Sequence, residues 1–253
     1  MGYQLASGNP VIAVNSFSGF GQAPAPAKTT KGVPPFKFVC DGNSCGLPLG
    51  CAALEAGFRK RVLGAIELAR NAAAKLKTPD QKTKDTFRDV FGQEITHSWD
   101  QPCCPREKMA AGKMAAMLFE RVKKELQSRQ TLYRCLSTVE CAQATGRVRE
   151  ERPRQPTDLI VPDTNALAIL CKDEVLLCPS FWQLKPEWQE GTILHEMFHL
   201  VFGLTCAWFQ HDQTERPRNS AYCYEVFALR VAGKAIEQTS IKKCKAALSK
   251  NVP

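Results

Sequence analysis

No stretch of this chain approaches the roughly 18 consecutive apolar residues that a membrane-spanning helix needs, so no membrane span is expected. The first residues, Met-Gly-Tyr-Gln-Leu-Ala-Ser, lack a basic region followed by an apolar run, so no Sec-type signal peptide is read. None of the cysteines stands in C-x-x-C spacing, which argues against a structural zinc site built from Cys40, Cys45 and Cys51 or from Cys103 and Cys104. Aromatic residues are not interleaved with the basic runs in a nucleic-acid-binding pattern, so no nucleic-acid partner is expected. Histidine is scarce, at four residues in 253. Three of them, His195, His199 and His211, fall in or just after one apolar stretch, and only His97 is remote.

Against these absences stand a hydrophobic fraction of 44%, enough for a sizeable core, and a formal net charge of +9. The length allows one domain, with at most a small extension. The basic runs, such as Arg59-Lys60-Arg61 and Lys242-Lys243, read as a solvated face; weak attraction to anionic surfaces or acidic substrates is the alternative. The twelve cysteines, an even number, point to disulfides and so to an oxidising compartment. Disulfides without a recognisable signal fit a secreted protein exported by a route that cleaves none, such as a bacterial effector or toxin. They equally fit a chain whose signal has been trimmed. An effector implies a secretion carrier or an immunity protein as partner.

Residues 1–38 are rich in Gly, Pro and Ser and read as an extended arm. Residues 39–253 read as one domain, with a helical part over 39–150 and a second part over 157–253. Within it, Leu54, Phe58, Val62, Ile66, Ala69 and Ala73 recur at helical steps, predicting a helix over 52–78. Thr78-Pro79-Asp80 breaks it and caps a short helix to about Phe91. A loop over 94–104, helices over 106–128 and 131–144, and a charged linker over 147–156 follow. Residues 158–162, 166–172 and 174–178 are strand-like, with a hairpin turn at Lys172-Asp173-Glu174. Cys171 and Cys178 flank that turn, and either pair with each other or pin it elsewhere. A helix over 219–238 and a basic tail over 240–253 complete the chain.

The segment that organises this pattern is residues 192–203, which contain His195-Glu196-Met197-Phe198-His199, an H-E-x-x-H sequence. On a helix, positions i and i+4 share a face, so both imidazoles can reach one Zn²⁺ at about 2.0–2.1 Å. Glu196 lies about 100° around the helix, beside the metal and placed to act as general base. Pro186 suits the first helical turn, Glu187 and Glu190 its positive end, and Gly203 its C-terminal stop. The bland alternative is a core helix with two satisfied histidines, in which a buried Glu would be costly. A third ligand is required, and His211, Asp212, Glu215 and Glu225 are the candidates downstream.

Three segments together resemble the deuterolysin, or aspzincin, metallopeptidases and their bacterial relatives, which include lysine-specific metallo-endopeptidases. Residues 177–182, Leu-Cys-Pro-Ser-Phe-Trp, are similar to the strand and "CP-x-F" turn before the zinc helix. His195–His199 matches the zinc helix, and residues 220–228, Ser-Ala-Tyr-Cys-Tyr-Glu-Val-Phe-Ala, resemble the following "NAD-x-Y-x-x-F-A" helix. The resemblance implies an α+β, mainly helical, zincin-like fold: an N-terminal helical region, then a small β-hairpin or sheet, then the H-E-x-x-H helix. It implies a zinc-dependent endopeptidase with His195, His199 and an Asp as ligands and a protein or peptide as substrate. The family's Asp loop is altered here, with longer spacing and no Tyr-Gly, so the ligand role passes to Asp212, with His211 as alternative. Tyr222 stands where lysine-specific members carry Asp, so lysine preference is not implied. Tyr222 or Tyr224 is left for the oxyanion role, and Glu225 for orienting a zinc histidine. The altered loop also admits a catalytically inactive zinc-binding or protein-binding module on a peptidase scaffold. A strand at 174–178 or 166–171 is the expected edge for an extended substrate.

Overall fold

The computed structural model describes residues 34–40, 50–100, 108–150, 165–169, 173–203 and 220–249. All lie in the second of two units into which the chain divides, residues 1–31 and 32–253. This unit is mainly helical, with seven α-helices and a small sheet among the described residues.

Helix α1 (Cys51–Lys77) buries Leu54, Phe58, Val62, Ile66, Ala69 and Ala73, the stripe expected from their spacing. Asp80 caps α2 (Gln81–Phe91): its Oδ1 accepts the Thr83 N–H at 2.7 Å. Gly92, at φ 69°, closes α2 in the left-handed conformation. Within the expected loop over 94–104, Ser98–Asp100 instead form β2, which pairs with β3 (Lys108–Ala110) in a two-stranded antiparallel ribbon; residues 101–104 lie outside the described residues. His97 is exposed beside it. Helix α3 (Ala111–Ser128) then packs along α1, burying Met114, Leu118 and Val122.

The segment 131–144, expected as one helix, divides. Leu132–Cys135 forms strand β4, with Tyr133 and Cys135 buried and Leu132 and Arg134 less so. Four residues with β-compatible side chains take whichever period their neighbours supply, and here parallel partners lie on both sides. Helix α4 (Thr138–Glu150) starts at a capping box: the Ser137 N–H donates to Glu140 Oε2 at 2.8 Å, and the Glu140 N–H to Ser137 Oγ at 3.3 Å. The sequence Ser-x-x-Glu carried that signal.

A four-stranded sheet runs in the order β1 (Lys37–Cys40), β4, β6 (Glu174–Leu177), β5 (Ala166–Ile169). The first three strands are parallel; β5 is antiparallel to β6. β5 and β6 are the expected hairpin, and the 158–162 strand lies outside the described residues. Residues 34–38 belong to this domain rather than to the arm: Phe36 is buried, its ring 5.5 Å from Phe58 and 5.4 Å from Tyr133. The rest of the predicted arm lies outside the described residues.

One sheet face joins the main core through Tyr133, Val175 and Leu177; on the other, Leu136, Leu176, Cys141 and Cys178 form a smaller cluster that includes α4. The Cys141–Cys178 disulfide fastens the two. Cys178 thus pins the hairpin elsewhere, the second of the two alternatives. Cys40–Cys51 ties β1 to α1.

After a 3-10 turn (Pro179–Gln183), α5 (Pro186–Gly203) carries the H-E-x-x-H residues. The helix expected over 219–238 is shorter: α6 (Ala221–Val231) stops before Gly233, at φ 67°. The expected tail is instead α7 (Gln238–Ser249), fastened to α6 by Cys223–Cys244. The lysines that suggested a tail are exposed, while Cys244 and Ala247 are buried.

Candidate active site

Helix α5 is buried along almost its whole length, and its two sides differ in kind. Leu194, Met197, Phe198 and Val201 enter the main core. Phe198 stacks on Tyr224 of α6 at 4.5 Å between ring centroids and meets Phe119 of α3 edge-on at 5.3 Å. The other side carries His195, Glu196 and His199.

The i, i+4 spacing brings His195 Nε2 and His199 Nε2 to 3.1 Å. His195 is 5% and Glu196 6% exposed, while His199 is half-buried and so leaves the pair a way to solvent. The opposite nitrogen of His195, Nδ1, lies 3.3 Å from Glu225 Oε2. Glu225 is 3% exposed on α6, and its Oε1 accepts the Ser240 hydroxyl of α7 at 2.9 Å. Gly191, one turn before His195, makes this approach feasible. A Cβ there would meet Glu225 Cγ and Oε1 at 3.2 Å and Leu229 Cδ1 at 3.0 Å.

Glu225 therefore faces away from the nitrogen that meets His199. Its place is behind the imidazole, and this removes it from the candidates for third ligand. A carboxylate there favours the tautomer with hydrogen on Nδ1, which leaves a bare lone pair on Nε2. Two imidazole nitrogens 3.1 Å apart, one so prepared, suit a cation within reach of both. Two imidazoles are donors of the kind zinc takes, two of the three that a catalytic site needs. Among the described residues no group of three His, Cys, Asp or Glu forms a metal cluster. His211, Asp212 and Glu215 lie outside the described residues.

The two candidate tyrosines separate. Tyr224 is fully buried between Phe198, Phe91 and Phe119, so it is a core residue and not an oxyanion donor. Tyr222 is half-buried, and its ring lies 4.2 Å from that of His195. Its hydroxyl accepts a hydrogen bond from Lys243 of α7, whose ammonium sits 4.4 Å from the Tyr222 ring centre.

Sequence reading missed Ser240, Lys243 and Tyr133. The first two stood in a supposed tail and the third in a supposed helix. Tyr133 lies beneath α5, donating to Met197 Sδ at 3.5 Å. Burial, with the Glu196 carboxylate nearby, pushes its phenol pKa up, against a lowering by Arg129. It stays protonated and serves as packing.

Of the two expected substrate edges, β6 is hydrogen-bonded on both sides, by β4 and β5, which excludes residues 174–178. Among the described residues β5 ends the sheet, and it packs against α5.

Among the described residues no helix is long and apolar enough to cross a membrane, and three disulfides are present. The chain matches no protein-family model and no curated protein.

Proposed function

We propose that this chain is a zinc-dependent endopeptidase with a zincin-like fold, secreted into an oxidising compartment. The convergence of His195 Nε2 and His199 Nε2 at 3.1 Å on a buried helix carries this reading. Glu225 at the back of His195 supports it, because a histidine that only fills a core needs no buried carboxylate behind its ring. The buried Glu196 stands beside the pair, on the side of the helix where a general base is needed.

In this reading His195 and His199 hold the metal, and Asp212, or His211 in its place, completes the set. When bound, zinc supplies a Lewis acid and lowers the pKa of water near it. Glu196 accepts the proton of the attacking water and returns it to the leaving amine. Glu225 and Ser240 hold the His195 ring. Tyr222, at the rim beside His195, is the tyrosine available to donate to the carbonyl oxygen. Among the described residues β5 ends the sheet, and its outer edge is the place for an extended protein or peptide substrate.

The test has two parts. Metal content by mass spectrometry should give one zinc per chain, lost in only one of the separate Asp212→Ala and His211→Ala variants. Glu196→Gln should keep zinc and lose about a thousandfold or more in peptide cleavage. Zinc binding without any cleavage by the wild type would instead identify an inactive binding module. A chain that takes up no zinc after add-back would remove the reading altogether.

A further inference from the structure

Helix α7 carries three lysines and no Asp or Glu. Lys242, Lys243 and Lys245 are all exposed, and among the described residues none is paired with a carboxylate. A cationic helix face is usually only solvated. Lys243 differs from its neighbours in that its ammonium is held in place. It donates to the Tyr222 hydroxyl and lies 4.4 Å from the Tyr222 ring centre, and that ring lies 4.2 Å from the His195 ring. The Cys223–Cys244 disulfide joins the residues immediately following each of the pair. The backbone positions from which Tyr222 and Lys243 project are thereby fixed relative to each other.

The result is a positive charge, exposed and pre-positioned, one aromatic ring away from a candidate zinc ligand. Among the described residues the carboxylates nearby are not at the surface: Glu196 is 6% and Glu225 3% exposed, and Glu225 is engaged by Ser240 and His195. Among the described residues Lys243 is thus the exposed charge beside this side of the site. An extended peptide advances about 3.3 Å per residue, so a side chain within two or three residues of the reacting bond comes within its reach. A fixed ammonium with no counter-ion among the described residues gains from a carboxylate and is penalised by a second cation.

We propose that Lys243 is a specificity-determining residue that selects an acidic side chain, Asp or Glu, close to the scissile bond. Acidic polypeptides are then the substrate class. This rests on the reading that the His195–His199 helix is the reacting site. Lys242 and Lys245 add a diffuse positive field that steers such chains toward it. A nucleic acid or an anionic membrane would also feel that field. Neither is favoured, because the held charge is a single ammonium, set beside the histidine pair.

The test measures binding apart from cleavage. Zinc-loaded Glu196→Gln protein is titrated into fluorescein-labelled decapeptides that differ at one central position, Glu, Gln or Lys, and anisotropy gives Kd. The Glu peptide should bind about fivefold tighter than the Gln peptide, the range of a partly exposed ion pair, with the Lys peptide weakest. Adding Lys243→Met should abolish the order, Lys243→Glu should reverse it, and Lys243→Arg should keep it. Lys242→Glu should keep the order of the three peptides, and the surface substitutions should leave Tm unchanged. Equal binding of the three peptides, or an order that Lys243→Glu leaves intact, overturns the proposal. So does an order lost equally in Lys242→Glu, or preference for single-stranded DNA or phosphatidylserine vesicles that Lys243→Glu does not alter. Incubating the same peptides with zinc-loaded wild type separates the two readings. Cleavage without charge preference sinks the acidic selection alone. Charge-selective binding without cleavage sinks the peptidase reading and leaves the recognition standing.

Discussion

The two sides of α5 are built from the same helix but by different rules. The Leu194–Phe198 side is held by area: rings and aliphatic chains from α1, α3 and α6 fill it, and no single atom position matters. The His195–His199 side is held by position. Its His195 ring touches a carboxylate, the carboxylate touches a serine, and a glycine keeps the path clear. A core of this kind tolerates hydrophobic exchange if volume is kept. A polar chain tolerates little in its function, because the position of each atom sets how the His195 ring is held. Damage to the first side should therefore appear as lost stability, and damage to the second as lost zinc or activity at nearly constant stability.

The largest stability effect is expected at Phe198→Ala. It removes a fully buried ring and should cost about 3–5 kcal/mol, or roughly ten degrees of Tm, in apo and zinc-loaded protein alike. Thermal melts with and without chelator check this. A loss confined to the zinc-loaded form would erase the distinction between the sides. Glu225→Gln comes next. It keeps the size of the side chain but weakens the hold on His195, so zinc affinity measured by competition should fall about 10–100-fold with little change in Tm.

Gly191→Ala sharpens the comparison, because its two effects have opposite signs. Alanine favours the helix by about 1 kcal/mol, which should offset crowding against Leu229. Its Cβ also pushes on Glu225, so zinc affinity should fall several-fold while Tm barely moves. A parallel fall in both would show that Glu225 is held by packing alone.

The smallest effect is expected at Asp80→Ala, far from either side. Hydrogen bonds from the Thr83 hydroxyl and backbone N–H, with Lys75 behind them, lower the Asp80 pKa from 3.8 to about 2. The folded value is below the unfolded one, so the cap's electrostatic contribution is full above about pH 4 and is lost as pH falls toward 2. Asp80→Ala should lower Tm slightly at neutral pH and progressively less in acid. A constant deficit across that window would mean that ionisation plays no part in the cap.

Local signals account for much of what was legible. The α1 stripe, the Asp80 cap and the α5 segment need only neighbours in sequence, and all three stand where spacing placed them. The misreadings share another cause. Residues 132–135 became a strand because β1 and β6 flank them, and Lys242-Lys243 sits on a helix because Cys244 and Ala247 find a core. Nothing within either segment records those neighbours. The Glu190 carboxylate illustrates the same limit. It suits the start of α5 by its charge, yet in the structure it pairs with Lys234 and fills the space above Gly64 of α1.

By itself, then, the sequence determined the histidine pair, the glutamate between them and the helix that carries them. The reason is that a period of 3.6 residues turns a spacing of four into a shared face. Only the tertiary structure decided what stands behind that pair. Glu225, Ser240, Tyr222 and Lys243 come from two later helices, brought to His195 by a disulfide and a shared core. Tertiary structure likewise left Tyr222 half-buried and Tyr224 in the core, and among the described residues set β5 rather than β6 at the end of the sheet. Contacts between segments far apart in the chain depend on how whole faces pack, and no local pattern encodes that.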